Sequence, residues 1–354
     1  MPGEIRSNKG NTVEYIKPTA KLFLGKSIVL FGETNTGKSK FIRMILKALK
    51  KHIPLGVVFN GTEGGDTSYG DIFPDAYVYN RIDIETIKDI KEFQEAKKNT
   101  YNKANKYEVL KNLYQRIRTR ESDKKLIKLH QSEKKLLRKC KNKKDKQKKI
   151  KNWHKDMRKK MYKKFVKENV HRINQKYLNN DEKVAIKFIN LNPHILLVFD
   201  DVGSQFKAMY NKKENKEIID NMFIRDRHNY ITYIFAFQYE GQLDKDLRNN
   251  TRISVFTSSS AVIGYARKKA NNIYHLEKYV NDIAPLIYQD DGNYYRMIYI
   301  KDEQKFKYIK SVEVKDNDCK FCWPEFYEYN SEIKIKNKVA VDRSNKFFNI
   351  FRVD

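Results

Sequence analysis

The sequence predicts an α/β fold: a largely parallel sheet carrying a phosphate loop (P-loop) and interrupted by a long basic helical insertion. Three observations predict it. The apolar run Ser27-Ile28-Val29-Leu30-Phe31 leads straight into Gly32-Glu33-Thr34-Asn35-Thr36-Gly37-Lys38-Ser39 and then into a helical pattern. Further short apolar runs alternate with helical stretches, as parallel strands with right-handed crossovers require. The positive charge is gathered in one segment.

Taken in order, Ser27 to Phe31 reads as a buried strand. Phe41, Ile42, Met44, Ile45 and Leu49 recur at helical spacing, giving a helix over 38–50 that Pro54 closes. Leu55 to Asn60 is a second strand and Ala76 to Tyr79 a third. Ile195 to Phe199, Ile231 to Phe237 and Ile253 to Phe256 continue the sheet. Tyr294 to Ile300 with Phe306 to Val314 reads as a hairpin, and the last forty residues fit no element. Between Gly70 and Gly203 there is no glycine, and between Pro74 and Pro193 no proline. Ile150, Trp153, Met157, Met161 and Phe165 form one helical stripe, and Leu110, Leu113, Tyr114 and Ile117 another. They predict two or three basic amphipathic helices inserted between strands. The expected organisation is a first half of the core over 1–90, the insertion over 91–182, a second half over 183–300, and a C-terminal hairpin and tail over 301–354.

The chain has 354 residues, 40% hydrophobic and 13% aromatic, enough for one large domain or two modest ones. Its net charge of +29 points to a polyanionic partner, nucleic acid first and an anionic membrane surface second. A lysine-rich genome is the plain alternative. Residues 101–180, however, hold 29 Lys and Arg against 7 Asp and Glu, a net of +22 that leaves only +7 for the rest. That concentration weighs against uniform bias. Three cysteines, Cys140, Cys319 and Cys322, argue against a disulfide framework and for a reducing compartment. The first residues lack the apolar core of a signal peptide, and no apolar run is long enough to cross a bilayer. A soluble intracellular protein is expected.

The phosphate loop carries the strongest chemical signal. Its glycines let successive backbone N–H groups curl around a β-phosphate, Lys38 reaches the β- and γ-phosphates, and the Ser39 hydroxyl ligates Mg²⁺; the ligand expected is ATP. Asp200-Asp201 ends a buried strand. Asp200 is assigned to the metal and Asp201 to orienting or deprotonating the attacking water, the alternative being two carboxylates that cap a helix. Gln238 ends the next strand, where its amide could bond both the γ-phosphate and the water; an ordinary polar strand end is the alternative. Arg248 and Arg252 could project into a neighbouring subunit's site or simply lie on the surface. Arg227 and His228 read as structural. Cys319-Lys320-Phe321-Cys322 has zinc-knuckle spacing but supplies two of four ligands, so free thiols are the alternative.

In this order the pieces resemble one family. Gly32 to Ser39, Leu196-Leu197-Val198-Phe199-Asp200-Asp201, Arg227-His228-Asn229-Tyr230-Ile231-Thr232 leading to Phe237-Gln238, and Leu247-Arg248-Asn249-Asn250 look like the poxvirus-type genome-packaging ATPases of large DNA viruses. These belong with the FtsK and HerA translocases. The matched pieces lie in residues 25–90 and 190–260, about two-fifths of the chain. The resemblance implies a RecA-like P-loop NTPase, often a hexameric ring around double-stranded DNA, working in the virion or the host-cell viral factory. It implies that Gln238 senses the γ-phosphate and that an arginine near 248–252 completes the next subunit's site. Two departures stand out: Asp201 where the wider superfamily often has Glu, and the basic insertion itself. The expected activity is ATP hydrolysis coupled to DNA translocation into a capsid, with a capsid or portal component as a possible partner. The alternatives are an assembly protein that uses nucleotide as a switch with little turnover, and a P-loop kinase.

Overall fold

The computed structural model describes residues 3–61, 69–140, 143–289, 294–328 and 331. These fall into two compact units, one formed by residues 1–94 with 194–354 and the other by Glu95–Pro193.

The first unit is built on a ten-stranded sheet. Its strands are β1 (Glu4–Arg6), β2 (Thr12–Tyr15), β3 (Ser27–Phe31), β4 (Leu55–Asn60), β5 (Val78–Tyr79), β6 (Ile195–Asp200), β7 (Ile231–Phe237), β8 (Ile253–Phe256), β9 (Tyr295–Ile300) and β10 (Lys305–Lys310). The order across the sheet is β1-β2-β10-β9-β8-β3-β7-β6-β4-β5. From β8 to β5 every neighbouring pair is parallel, whereas β9 runs antiparallel to both β8 and β10. The sheet is therefore largely parallel, with an antiparallel wing.

Burial on both faces explains why the central strands read as continuous apolar runs. Alternate residues divide between two cores. Val29, Phe31, Phe59, Phe199, Phe235 and Phe237 face one core, while Ile28, Leu30, Val58, Val198, Ile234 and Ala236 face the other. The helix Lys38–Leu49 buries Phe41, Ile42, Met44, Ile45, Leu46 and Leu49 in the second core. The helices Gly203–Tyr210, Lys213–Ile224, Ser259–Arg267 and Glu277–Tyr288 cover the first core. There Phe199 stacks on Phe59 and Phe235, each at 4.9 Å between ring centroids, and Phe235 stacks on Phe223 at 4.8 Å.

The sequence placed a strand over 76–79. Residues Asp75–Tyr77 instead form a 3₁₀ turn, leaving a two-residue strand at the sheet edge. The C-terminal hairpin forms, but its second strand stops at Lys310. The Ser311 N–H then bonds the Tyr294 carbonyl at 2.8 Å and closes the ladder. The hairpin is no appendage, because β9 pairs directly with β8. Of the last forty residues, Phe321 and Phe326 are buried in the cores, and the Trp323 N–H bonds the Pro54 carbonyl.

The second unit is helical: the end of the helix Ile84–Ala104, then Tyr107–Ile117, Arg120–Lys139, Lys144–Glu168 and Asn180–Lys187. Its core joins Leu110, Leu113, Tyr114 and Ile117 to Tyr162, Val166 and Ile189. The stripe from Leu110 to Ile117 is thus buried as expected. The stripe from Ile150 to Phe165 is displaced by one residue: His154, Tyr162 and Val166 face inward, and Trp153 is 54% exposed. Arg158 explains the displacement. It sits on the inward line to meet the largely buried Glu133 and the Tyr107 hydroxyl, so the polar pair sets the helix rotation. Arg116 likewise pairs twice with the buried Glu182 at 3.1 Å, and Glu182 also completes the capping box begun by Asn179.

Gly56 in β4 tests the closeness of this packing. A Cβ there would lie 2.5 Å from Phe73 Cε1 and 2.9 Å from Phe321 Cδ1. Gly56→Ala is expected to cost about 1–3 kcal/mol through overpacking. The melting temperature should fall by several degrees in a thermal unfolding scan; an unchanged value would mean that the two rings do not close over β4.

Candidate functional site

Parallel strands deliver whatever follows them to one end of the sheet. Here β3, β7 and β6 lie side by side with Phe31 level with Phe237 and Asp200 level with Ala236. The phosphate loop, Gln238 and the Asp200-Asp201 pair therefore emerge together.

The loop is held from both flanks. The Gly32 N–H bonds the Phe237 carbonyl at 3.2 Å, and the Thr36 and Thr257 hydroxyls meet at 2.6 Å, tying the loop to the residue after β8. Gly37 enters the helix Lys38–Leu49 with φ +89°, a left-handed conformation that favours glycine. Glu33, Thr34 and Asn35 are exposed. Ser39 stands at the second helical position. The helix N-terminus leaves backbone N–H groups and a partial positive charge directed at this place. The Lys38 ammonium bonds the Gly32 and Glu33 carbonyls at 2.7 and 2.8 Å. Burial lowers its pKa, opposed by the charges of Asp200, Asp201 and Glu33.

The two aspartates differ sharply. Asp200 is buried, and burial raises its pKa; the Tyr69 hydroxyl, donating to its Oδ2 at 2.8 Å, and the charge of Lys38 pull the other way. Asp201 is exposed, with φ +53°. A side chain at Gly61 would strike the Asp201 carbonyl, so Gly61 is what lets the end of β4 pass this turn. The Gln238 side-chain amide donates to Asp201 Oδ1 at 3.1 Å, and the Gln238 N–H is held by Gln242 Oε1 at 2.8 Å. Lys38, Asp200, Asp201 and Gln238, assigned from sequence to one site, are brought together. Glu63 lies outside the described residues.

The two arginines stand elsewhere. Arg248 is buried and held within the chain: Nε donates to Asn271 Oδ1 at 3.0 Å, and Nη1 to the Glu240 and Leu243 carbonyls, both at 2.7 Å. This corrects its assignment to a neighbouring subunit's site, because withdrawing it would strip three acceptors, those of Asn271 and Leu243 in buried hydrogen bonds. Arg252 precedes β8, at the opposite end of the strands from the loop, and pairs with Asp302 at 2.6 Å. Arg227 and His228 touch each other ahead of β7, also at that far end. Cys319 is buried, and the Cys322 thiol, pushed by burial up to about 12, packs against the Gly56 backbone. Among the described residues no cluster of three metal-ligating side chains accompanies them.

Sequence reasoning missed Tyr69, Thr257 and Arg296. Thr257 could have been found by the strand-end rule that found Gln238. Arg296 is the second residue of an antiparallel strand, so only the direction of β9 brings it to the loop, where Nη2 donates to the Thr36 carbonyl at 3.0 Å. Tyr69 carries no motif at all.

A family model described as zonular occludens toxin (Zot) matches residues 139–311. Protein B354L of African swine fever virus (isolate Tick/Malawi/Lil 20-1/1983) is 25% identical over 99% of both chains. Protein 075L of Invertebrate iridescent virus 6 is 42% identical over 64 residues, covering 18% of this chain and 25% of that one. Among solved structures, the genome packaging NTPase B204 of Sulfolobus turreted icosahedral virus 2, in complex with AMPPCP, aligns over 80% of this chain and 96% of that one, at 12% identity and a TM-score of 0.39. Among the described residues no helix is long and apolar enough to cross a membrane. The strand leading into the phosphate loop, the acidic strand beside it and the largely parallel sheet bear out the fold expected from the sequence, that of a P-loop NTPase, and the similarity to the viral protein B354L runs along the whole of both chains.

Proposed function

We propose that this protein hydrolyses ATP and uses the energy to move double-stranded DNA into a viral capsid. The observation that carries the hydrolytic part is the Gln238–Asp201 contact of 3.1 Å at the strand ends that also hold Lys38 and Asp200. A chain that only held phosphate would need the loop and lysine alone. A carboxylate paired with an amide next to them is suited to orienting a water and taking its proton.

In this reading residues 32–39 cradle the phosphates, and Lys38 exchanges the Gly32 and Glu33 carbonyls for phosphate oxygens. Asp201 positions the water, and Gln238 links that carboxylate to the γ-phosphate. The donor set fits Mg²⁺, since a hydroxyl and a buried carboxylate are hard oxygen ligands. Ser39 and Asp200 would hold the ion, which when bound neutralises charge between the β- and γ-phosphates. Tyr69 keeps the Asp200 carboxylate oriented and favours its ionised form. In a ring, Arg252 is the remaining candidate to act across subunits, exchanging Asp302 for a neighbour's phosphate. The helical unit supplies the DNA contact. Lys146, Lys148, Lys149 and Lys151 follow one another along one helix and supply the charge that sequence-independent phosphate binding requires.

Lys38→Ala, Asp201→Asn and Gln238→Ala are each expected to lower steady-state ATP hydrolysis, by ~10²-fold or more for the first two. Asp201→Asn should retain nucleotide binding. Full turnover in Asp201→Asn would move the base to another residue. Duplex DNA should stimulate hydrolysis, and a rate indifferent to DNA would count against coupling.

Tyr69→Phe removes the hydrogen bond that favours ionised Asp200, so the already raised carboxyl pKa rises further. The acid limb of the pH–rate profile should move to higher pH, with the rate well above that limb retained. An unshifted limb would detach Asp200 from the rate.

Changing Lys146, Lys148, Lys149 and Lys151 to Gln should weaken duplex binding and flatten its dependence on log salt, by up to about 0.9 for each DNA phosphate left without its lysine. ATP binding should be unaffected. An unaltered salt slope would place the DNA-binding surface elsewhere.

A further inference from the structure

A cavity of about 580 Å³ opens beside the phosphate loop, on the side of β3 away from the aspartates. Its wall is formed by Thr36 and Gly37 of the loop, Lys40 of the following helix, Thr257 to Ser260 after β8, and Tyr288, Tyr294 and Arg296. We propose that this cavity receives the base and ribose of the nucleotide, with the Tyr294 ring as the aromatic wall for the base and Arg296 as the polar anchor between nucleoside and loop. The inference rests on the reading of residues 32–39 as a triphosphate site and extends it to the other end of the ligand.

Three independent features lead there. The first is direction. Across the sheet the order is β9, β8, β3, β7, β6. The aspartates and Gln238 lie on the β7–β6 side of the loop, so a triphosphate with its γ-end toward Asp201 runs its other end toward β8 and β9. The cavity lies on that side. Its size suits a nucleoside, since small-molecule pockets span roughly 300–1,000 Å³.

The second is Arg296. The residue is 8% exposed, and its Nε has no hydrogen-bond partner among the described residues. Nη1 and Nη2 donate to the Tyr295 and Thr36 carbonyls. No described carboxylate forms an ion pair with it, although a guanidinium stays charged even where burial lowers its pKa. A buried cation lined up on a phosphate loop, with one donor unused, suits an anionic or oxygen-rich ligand. Gly37 leaves it that room, because a Cβ there would come within 2.9 Å of Nη2.

The third is the composition of the wall. Tyr294 is 43% exposed at the mouth, with Lys40 5.0 Å and Arg296 5.9 Å from its ring centroid. The Tyr288 hydroxyl is used up, donating to the Phe256 carbonyl at 2.6 Å and accepting from the Met297 N–H at 3.0 Å, so that ring presents only its carbon face. A polyphosphate alone has no use for aromatic walls, whereas a base gains by stacking on them whatever its identity.

The test compares ATP with inorganic tripolyphosphate, both with Mg²⁺, by calorimetry on the full chain, Tyr294→Ala and Lys38→Ala. The exposure of Tyr294 makes the first variant safe for folding, and its melting temperature checks this. Tyr294→Ala should weaken ATP by roughly ten-fold and leave tripolyphosphate unchanged, while Lys38→Ala weakens both. Tyr294→Phe should bind ATP as the parent does, because the ring and not the hydroxyl makes the contact. Equal loss of both ligands in Tyr294→Ala, or loss of neither, overturns the nucleoside assignment while the phosphate site stands. A parent chain that binds neither ligand, or Lys38→Ala without effect on either, removes the phosphate site and this inference with it.

Discussion

The level register of the parallel strands is the constraint on which the rest depends. Because β3, β7 and β6 are hydrogen-bonded with Phe31, Phe237 and Asp200 near one line, three segments far apart in sequence leave the sheet at the same place. A slip of one residue in any strand would send its apolar side chains to the wrong core and turn its terminal residue away. The double-sided burial that makes the strands apolar is thus also what fixes the site. The stacked rings of Phe59, Phe199 and Phe235 lie along this same stretch of sheet, locking three neighbouring strands against such a slip.

Around that frame, charge and burial divide the labour between two adjacent carboxylates. Asp200 is enclosed and kept in place by Tyr69, while Asp201 is turned outward by a left-handed backbone that only the missing side chain of Gly61 accommodates. Two neighbours in sequence thereby face different chemistry, one resisting ionisation and the other open to solvent. The same contrast holds for the arginines. Arg296 is buried beside the loop with a donor unused, whereas Arg248 is buried away from it with every contact internal.

Much of this was legible in the sequence, for identifiable reasons. Five of the six parallel strands are apolar runs with turn residues at their ends, β5 being the short exception, and the phosphate loop fixes which of them carries the ligand. Asp200, Asp201 and Gln238 follow from the rule that strand ends meet, which needs no knowledge of side-chain direction. Arg248 was misjudged because an arginine after a polar segment looks exposed until its acceptors, two carbonyls and Asn271, are known. Arg296 and Tyr69 depend on the path of the chain across the sheet, and no local pattern encodes that. The helix Lys144–Glu168 shows a subtler failure. Its apolar stripe was visible, but Arg158 and Glu133 turn the helix by one position, and periodicity alone is blind to a buried ion pair.

The segment from Gln238 to Arg248 is secured at both ends: Gln242 grips the Gln238 backbone, and Arg248 grips the carbonyls of Glu240 and Leu243 while holding Asn271. Lys268 adds an ion pair to Glu240. Such a segment behaves as a strut rather than a slack tether. A displacement imposed on Gln238 is handed on to the turn around Asn271 instead of being absorbed on the way, so the stiffness of this short stretch sets how far a small movement at the strand end is felt.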